Sequence, residues 1–460
     1  MNHPHRTTAI RAHLRPSLIL ILSVALIMSY VVAAKNTKFL DDLKPVSASV
    51  DTHPLSEASR VEIPADQSPA AQSTGATGED WTAHKVAEAP TAVFQASSAE
   101  SFSMFALTWS DPENTNPQVE LNVRSQRADG SWTPWYDTHT LPQTADKAVK
   151  GTDVVYVQPT TTIQISFSQD SASIEELGAP QMVFIDGKKQ NTIAPMAYTA
   201  NEQLRLIPRA SWGADESIRC EGPTYNDRVT GITIHHTVGS NDYAVNDAPG
   251  IVRGIYTYHA KTLGWCDIGY HSLVDRFGNI YEGAYGGFDR AVEGAHAGGF
   301  NQNTWAISMM GTFTQVAPSN DMLSAVGNLA GWKAFISGFD PLGSTVHYSE
   351  GSSYTPYPRG TAVTLRNIFA HRDVDNTECP GDAAYAQMDN IRGIASQRYA
   401  AMRTGAATAA LQFVAGPSAP SNDLVGQIGP FLAGGALLLL ILFLLGVFGS
   451  TSGNDSNSDT

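Results

Sequence analysis

The chain has 460 residues, more than one hydrophobic core usually supports, so two folded units joined by connecting segments are expected. It carries 29 lysines and arginines against 44 aspartates and glutamates, a formal net charge of −15. Phosphate binding draws on clustered cations that this sequence does not show, which removes nucleic acid from the expected partners.

Near the N-terminus Arg6, Arg11 and Arg15 precede the apolar run SLILILSVALIMSYVVAA, and Lys35 follows at once. Residues 1–40 therefore read as an export signal, either cleaved after the small residues VAA or kept as an anchor. Residues 41–95 are rich in Ala, Ser, Thr, Asp and Pro with little apolar periodicity. Such a composition cannot bury enough to offset chain entropy, and a flexible linker is predicted there. From 96 to 188 short alternating runs take over (FSMFALTW, VELNVRSQ, DVVYVQ, TIQISFS, PQMVFIDG), separated by turn signals such as RADGSW. They predict a small antiparallel β-sandwich. Trp132 and Trp135 within it suit either stacking on sugar rings or packing at a strand end.

A polar linker at 189–204 leads into a compact region, 205–402, where helix and strand patterns alternate. RVTGITIHHT reads as a buried strand running into polar residues, APGIVRGIYTYHAKTLG as a helix stopped by Gly264, and GYHSLVDRFGNIYEG as a hairpin. MLSAVGNLAGWKAFISG and YAQMDNIRGIASQRYAAM give two more helices. The expected fold is α/β, a mixed β-sheet flanked by helices. After a linker at 403–427, the uncharged run IGPFLAGGALLLLILFLLGVF, 428–448, is long enough to cross a bilayer as a transmembrane helix, and 449–460 is a polar tail. The basic N-terminus sets the orientation: residues 36–427 are exported, facing the cell envelope and anchored in the bacterial cytoplasmic membrane.

Cysteine occurs at 220, 266 and 379. In an oxidising compartment two are expected to pair, leaving one for other work. FAHRDVDNTECP places His371 and Cys379 in one aspartate-rich loop. Zinc takes Cys and His in tetrahedral geometry, and a catalytic site leaves one position open, so these two supply a pair of ligands if the loop folds back. A third has to come from elsewhere. His235 and His236 end the buried strand, and alternation lets only one of them face such a site.

ITIHHT, GWCDIGYH, EGAHAGGFN and AHRDVDNTECPGD, in this order and with IPRASWGADE ahead of them, resemble the peptidoglycan recognition protein and type 2 N-acetylmuramoyl-L-alanine amidase family, especially its actinobacterial members. The resemblance implies that His235, His371 and Cys379 are zinc ligands and that Tyr270 is the catalytic tyrosine, with the Thr377 hydroxyl as a second hydrogen-bond donor. Thr237, His259, His296 and Asn301 match positions that line the family's groove. A Gly-Trp pair before CDIGY, here Gly264 and Trp265, goes with stem peptides bearing meso-diaminopimelate. Members lacking the cysteine are usually receptors without catalysis, and this chain keeps it. It departs from the phage lysozyme-type amidases, whose catalytic lysine stands where this chain has Thr377.

The implied reaction is zinc-dependent hydrolysis of the amide between N-acetylmuramic acid and L-alanine of peptidoglycan, in wall remodelling or turnover. The alternative is a non-catalytic or activator-dependent wall-binding receptor. No general base is assigned: Asp373 and Glu378 are close to the ligands in sequence, and Asp373 equally suits orienting a ligand histidine. With Cys379 taken as a ligand, Cys220 and Cys266 are the disulfide candidates, a pairing the sequence leaves open. The β-rich region is left to position the enzyme or to dock a protein partner or activator.

Overall fold

The structure is a computed structural model that describes residues 45–70, 91–113, 115, 117–141, 149–169, 171–188, 204–404 and 412–413. The run read as an export signal and the apolar run at 428–448 lie outside them. Among the described residues no helix is long and apolar enough to cross a membrane.

Strands β1 (Ser49–Pro54), β2 (Ser59–Ile63), β3 (Thr91–Ser110), β4 (Glu120–Ser125), β5 (Tyr136–His139), β6 (Val149–Gly151), β7 (Val155–Phe167) and β8 (Gly178–Asp186) form one hydrogen-bonded network in the order β1-β8-β3-β7-β4-β5, with β2 and β6 also on β3. Every pairing in it is antiparallel, and Phe105, Leu107, Val123, Val155, Ile163, Ile165 and Phe184 fill its core. Two sequence expectations need correcting. The linker expected at 41–95 supplies β1 and β2: SVDTHP is almost wholly exposed and held by its backbone ladder to β8, so no apolar period betrays it. DVVYVQ and TIQISFS, read as separate strands, are one strand, β7, passing through Gln158 in a left-handed conformation (φ 66°). Of the tryptophan pair, Trp135 is buried and donates from Nε1 to the Gln67 carbonyl (2.9 Å). The Arg124 guanidinium lies 4.4 Å from its ring and 5.0 Å from that of half-buried Trp132. Packing is the role these contacts describe.

The second sheet is mixed and seven-stranded. Its order is β16 (Ile368–Ala370), β10 (Gly231–His236), β13 (Thr304–Met309), β11 (Ser272–Val274), β12 (Ile280–Glu282), β9 (Arg205–Ile207) and β17 (Gln412–Phe413), with β14 (Ser344–Tyr348) and β15 (Ala362–Arg366) paired as a separate antiparallel hairpin. β10 runs parallel to both β13 and β16, and all six of its residues are buried, the continuous run expected of a strand covered on both faces. Helix α1 (Ala248–Thr257) continues as a π turn over Tyr258–Thr262 and stops at Gly264, whose φ is +70°. Helix α2 (Asn320–Ser337) begins at Ser319, whose side chain accepts from Met322 N, and ends at left-handed Gly338. A short helix, α3 (Asp382–Tyr385), precedes α4 (Met388–Arg403), which packs on α2.

The two sheets share a core. Met104, Ala106, Leu141, Val154, Tyr156, Val183 and Ile185 from the antiparallel network join Tyr243, Ile251, Ile255, Tyr258, Leu263 and Tyr270 in one buried cluster.

Candidate metal centre and cleft

β10 and β16 are parallel neighbours, so their carboxyl ends lie side by side. His235 stands near the end of β10 and His371 directly follows β16, which brings the two rings to 4.4 Å between centroids. A 3-10 turn at His371–Asp373 folds the following loop back, with Arg372 N donating to Cys379 O (3.0 Å). Cys379 Sγ thereby comes to 3.8 Å from His235 Nδ1 and accepts from His236 N at 3.3 Å. One ligand atom from each of His235, His371 and Cys379 lies within 4.8 Å of the others. His236 points elsewhere, its Nδ1 accepting from Phe313 N (3.5 Å), as strand alternation requires.

Both rings are held from behind. His235 Nε2 meets His296 Nδ1 at 3.1 Å, and His296 Nε2 in turn meets Thr304 Oγ1 at 3.3 Å. His371 Nε2 meets Asp375 Oδ2 at 2.8 Å, and the same oxygen accepts from Gly298 N (2.7 Å). Each imidazole thus has one nitrogen fixed and one left to face the cluster, the arrangement that orients metal-binding histidines. Burial and the neighbouring imidazoles hold His235 well below the usual histidine range, so it is a neutral imidazole. Burial also pushes the Cys379 thiol far up, so the thiolate needs a cation beside it. Asp375 Oδ1 is buried with no hydrogen-bond partner. Two oriented imidazoles and a buried free thiol fit a zinc ion.

Tyr270 stands beside this cluster, its ring 5.3 Å from His235 and 5.8 Å from His259. Burial raises its pKa well above the ordinary phenol value, keeping it a proton donor. Thr377, half-buried, accepts from Cys379 N (3.1 Å) and lies 3.3 Å from His139 Nε2. His259 accepts from Gly269 N at Nδ1 (3.2 Å) and packs on Trp265, and burial lowers its pKa to about 3. Gly264 and Trp265 line an open cleft of about 230 Å³ with Arg219, Tyr285, Glu293 and Ala295. No atom would lie within 4 Å of a Cβ on Gly264, so the left-handed backbone, not space, calls for glycine there.

These features meet those of known proteins. Residues 225–382 match the N-acetylmuramoyl-L-alanine amidase family, and residues 54–194 match the Rv3811 N-terminal galactose-binding domain-like family. Peptidoglycan-recognition protein SC2 of Drosophila simulans is 33% identical over 180 residues, 39% of this chain and 81% of that protein. The chain belongs to the peptidoglycan recognition protein and type 2 amidase family. Human peptidoglycan recognition protein 3 is 31% identical over 180 residues, and there the match spans 44% of the relative's length. Among solved structures, wild-type Drosophila PGRP-LB is 27% identical, covering 40% of this chain and 92% of that one, with a TM-score of 0.31.

Of the positions that the family resemblance singled out, His235, His371, Cys379, Tyr270, Thr377, His259 and His296 converge on one place, while Gly264 and Trp265 line the cleft. Thr237 and Asn301 are occupied otherwise. Thr237 Oγ1 accepts from Gly311 N (3.0 Å), and Asn301 Oδ1 accepts from His296 N and Ala297 N (2.8 and 3.0 Å), bracing the loop that carries His296. Cys220 and Cys266 form a disulfide that ties the segment before β10 to the one carrying Tyr270. The residue that orients His371 is Asp375, not Asp373, which accepts instead from Ala370 N and the Tyr385 hydroxyl. The signal for Asp375 was its place four residues after His371, where a turn brings the two side chains to the same side.

Proposed function

We propose that this chain is a zinc-dependent N-acetylmuramoyl-L-alanine amidase acting on peptidoglycan. The observation that carries the reading is the convergence of His235, His371 and Cys379, with the two rings braced by His296 and Asp375. Zinc bound there would supply Lewis acidity toward the scissile carbonyl and a water acidic enough to ionise near neutrality. The chain's own residues do the rest. Attack on the amide carbon concentrates negative charge on the carbonyl oxygen, and the neutral Tyr270 phenol, with the Thr377 hydroxyl as a second donor, is placed to receive it. The cleft at Gly264 and Trp265 takes the stem peptide, which we assign to the meso-diaminopimelate type. The basic N-terminal run and the apolar run at 428–448 support a location for this chemistry outside the cytoplasmic membrane, on the wall side.

The test is incubation of the zinc-loaded chain with a diaminopimelate muropeptide and mass analysis of the products. Release of a stem peptide with a free L-alanine amine, at any rate and absent with Cys379→Ala, supports the reading; muropeptide binding with no release even on prolonged incubation with excess enzyme contradicts it. A wall-binding receptor is the second reading. It is favoured by the burial of His235, His371, Cys379 and Tyr270, which are 1%, 4%, 4% and 6% exposed.

A further inference from the structure

A hydrolase of a wall polymer has to bring a large substrate to its ligand cluster, yet here the cluster is covered. The cover comes from the antiparallel domain. His139 at the end of β5 reaches Thr377 Oγ1 at 3.3 Å, beside the loop that delivers Cys379. Its Nε2 also lies 3.4 Å from Asp153 Oδ2, and that carboxylate is within electrostatic reach of His371, Tyr270 and Cys379. A carboxylate buried this deeply is costly unless a partner faces it, and here the His139 ring that meets Thr377 also faces Asp153. Around it the contact is close and extensive. The Tyr258 hydroxyl donates to the Thr152 carbonyl (2.9 Å) and Ser240 N to the Tyr156 carbonyl (2.8 Å). Leu141, Val154 and Tyr156 enter the same apolar cluster as Leu263 and Tyr270.

Both sides of this contact use glycine where any side chain would collide. A Cβ on Gly151 would strike the Tyr258 hydroxyl, and one on Gly254 of α1 would strike Met104 Sδ. The cleft lined by Gly264 and Trp265 has no residue of the antiparallel domain in its wall. One end of the substrate path is open, and the other is shut by the chain itself.

We propose that the antiparallel domain is an intramolecular plug: residues His139–Leu141 and Gly151–Tyr156 occupy the approach to the ligand cluster with the Asp153 carboxylate at its centre, so the folded chain is a latent amidase. Stem peptide can then engage the open cleft, while cleavage waits for the plug to move. The inference rests on the amidase reading above and adds its regulation.

The experiment uses the full chain. Gly151→Leu and Gly254→Leu wedge the contact from its two sides, and Asp153→Ala, which adds no bulk, keeps the test standing if both wedges prevent folding. Cys379 is the free cysteine, so after zinc is stripped with a chelator its alkylation by a maleimide reports access to the cluster independently of activity. Muropeptide hydrolysis is measured in parallel on zinc-loaded protein, with circular dichroism to establish folding. Opening a state that is closed in most molecules raises both rates by roughly tenfold or more over the unaltered chain. If Cys379 is alkylated equally fast in all proteins, the closure is overturned. Should the variants be alkylated faster while the unaltered chain cuts as well as they do, the plug is overturned and the amidase stands. Faster alkylation with no cleavage by any protein overturns the amidase reading, and the regulatory inference falls with it.

Discussion

In the antiparallel domain the buried hydroxyls are spent on backbone. Thr140 Oγ1 accepts from Val119 N (2.7 Å), Thr152 Oγ1 accepts from Leu107 N (3.1 Å) and Ser125 Oγ donates to the Val157 carbonyl. Trp109 Nε1 is an exception, buried without a partner. The region around the carboxyl ends of β10 and β16 is different: His236 Nε2, Arg372 Nε and Asp375 Oδ1 are all buried there without a hydrogen bond. Buried polar atoms usually find partners, and a concentration of exceptions marks a place built for something besides stability. One domain's polar interior maintains its shape; the other's leaves polar atoms unspent beside the cluster of His235, His371 and Cys379.

Substitutions can break that contrast, beginning where the effect is greatest. Cys379→Ala removes the thiolate, and both bound zinc and turnover are expected to vanish, as read by elemental analysis and product release. Tyr270→Phe should lower kcat by about a hundredfold or more while leaving zinc content intact, since it deletes a hydrogen-bond donor and no ligand. Asp375→Asn loosens the support of His371 and should weaken zinc affinity about 10–100-fold in a competition titration with a chromophoric chelator. In the other domain Ser125→Ala strands the Val157 carbonyl and should cost about 1–3 kcal/mol in denaturant unfolding with zinc affinity unchanged. Loss of zinc affinity in that variant would erase the distinction between the two regions.

The remaining test concerns pH. Lys333 in α2 is wholly buried, its Nζ donating to the Phe288 and Arg290 carbonyls (3.1 and 2.8 Å), and burial lowers its pKa from 10.5 to about 7. Between pH 7 and 10 the unfolded chain therefore binds the proton that the folded chain has released. Stability attributable to this lysine rises with pH across that window, by at most ~1.4 kcal/mol per pH unit. Melting temperatures of the full chain and of Lys333→Met across this range check it: the difference between them should change in favour of the unaltered chain as pH rises.

The mixed sheet was legible because its central strands are short continuous apolar runs and its helices carry their own stops, Gly264 and Gly338. The cluster of His235, His371 and Cys379 was legible through motif order, for spacing alone left His235 and His236 undecided until strand geometry separated them. Asp375 escaped because Asp373 lies nearer to His371 in sequence and a 3-10 turn, not an α-helix, determines which carboxylate reaches the ring. β1 and β2 escaped because exposed strands held by backbone pairing carry no apolar rhythm. Contact between His139 and Thr377 spans 238 positions of sequence, and no local pattern encodes a meeting at that range.

The most direct test of the central claim is zinc binding by the full chain, titrated after metal removal and compared with Cys379→Ala and His235→Ala. The account expects a single tight zinc in the unaltered protein, lost in both variants while each remains folded. Zinc held equally by the variants, or by none of the three proteins, would contradict it.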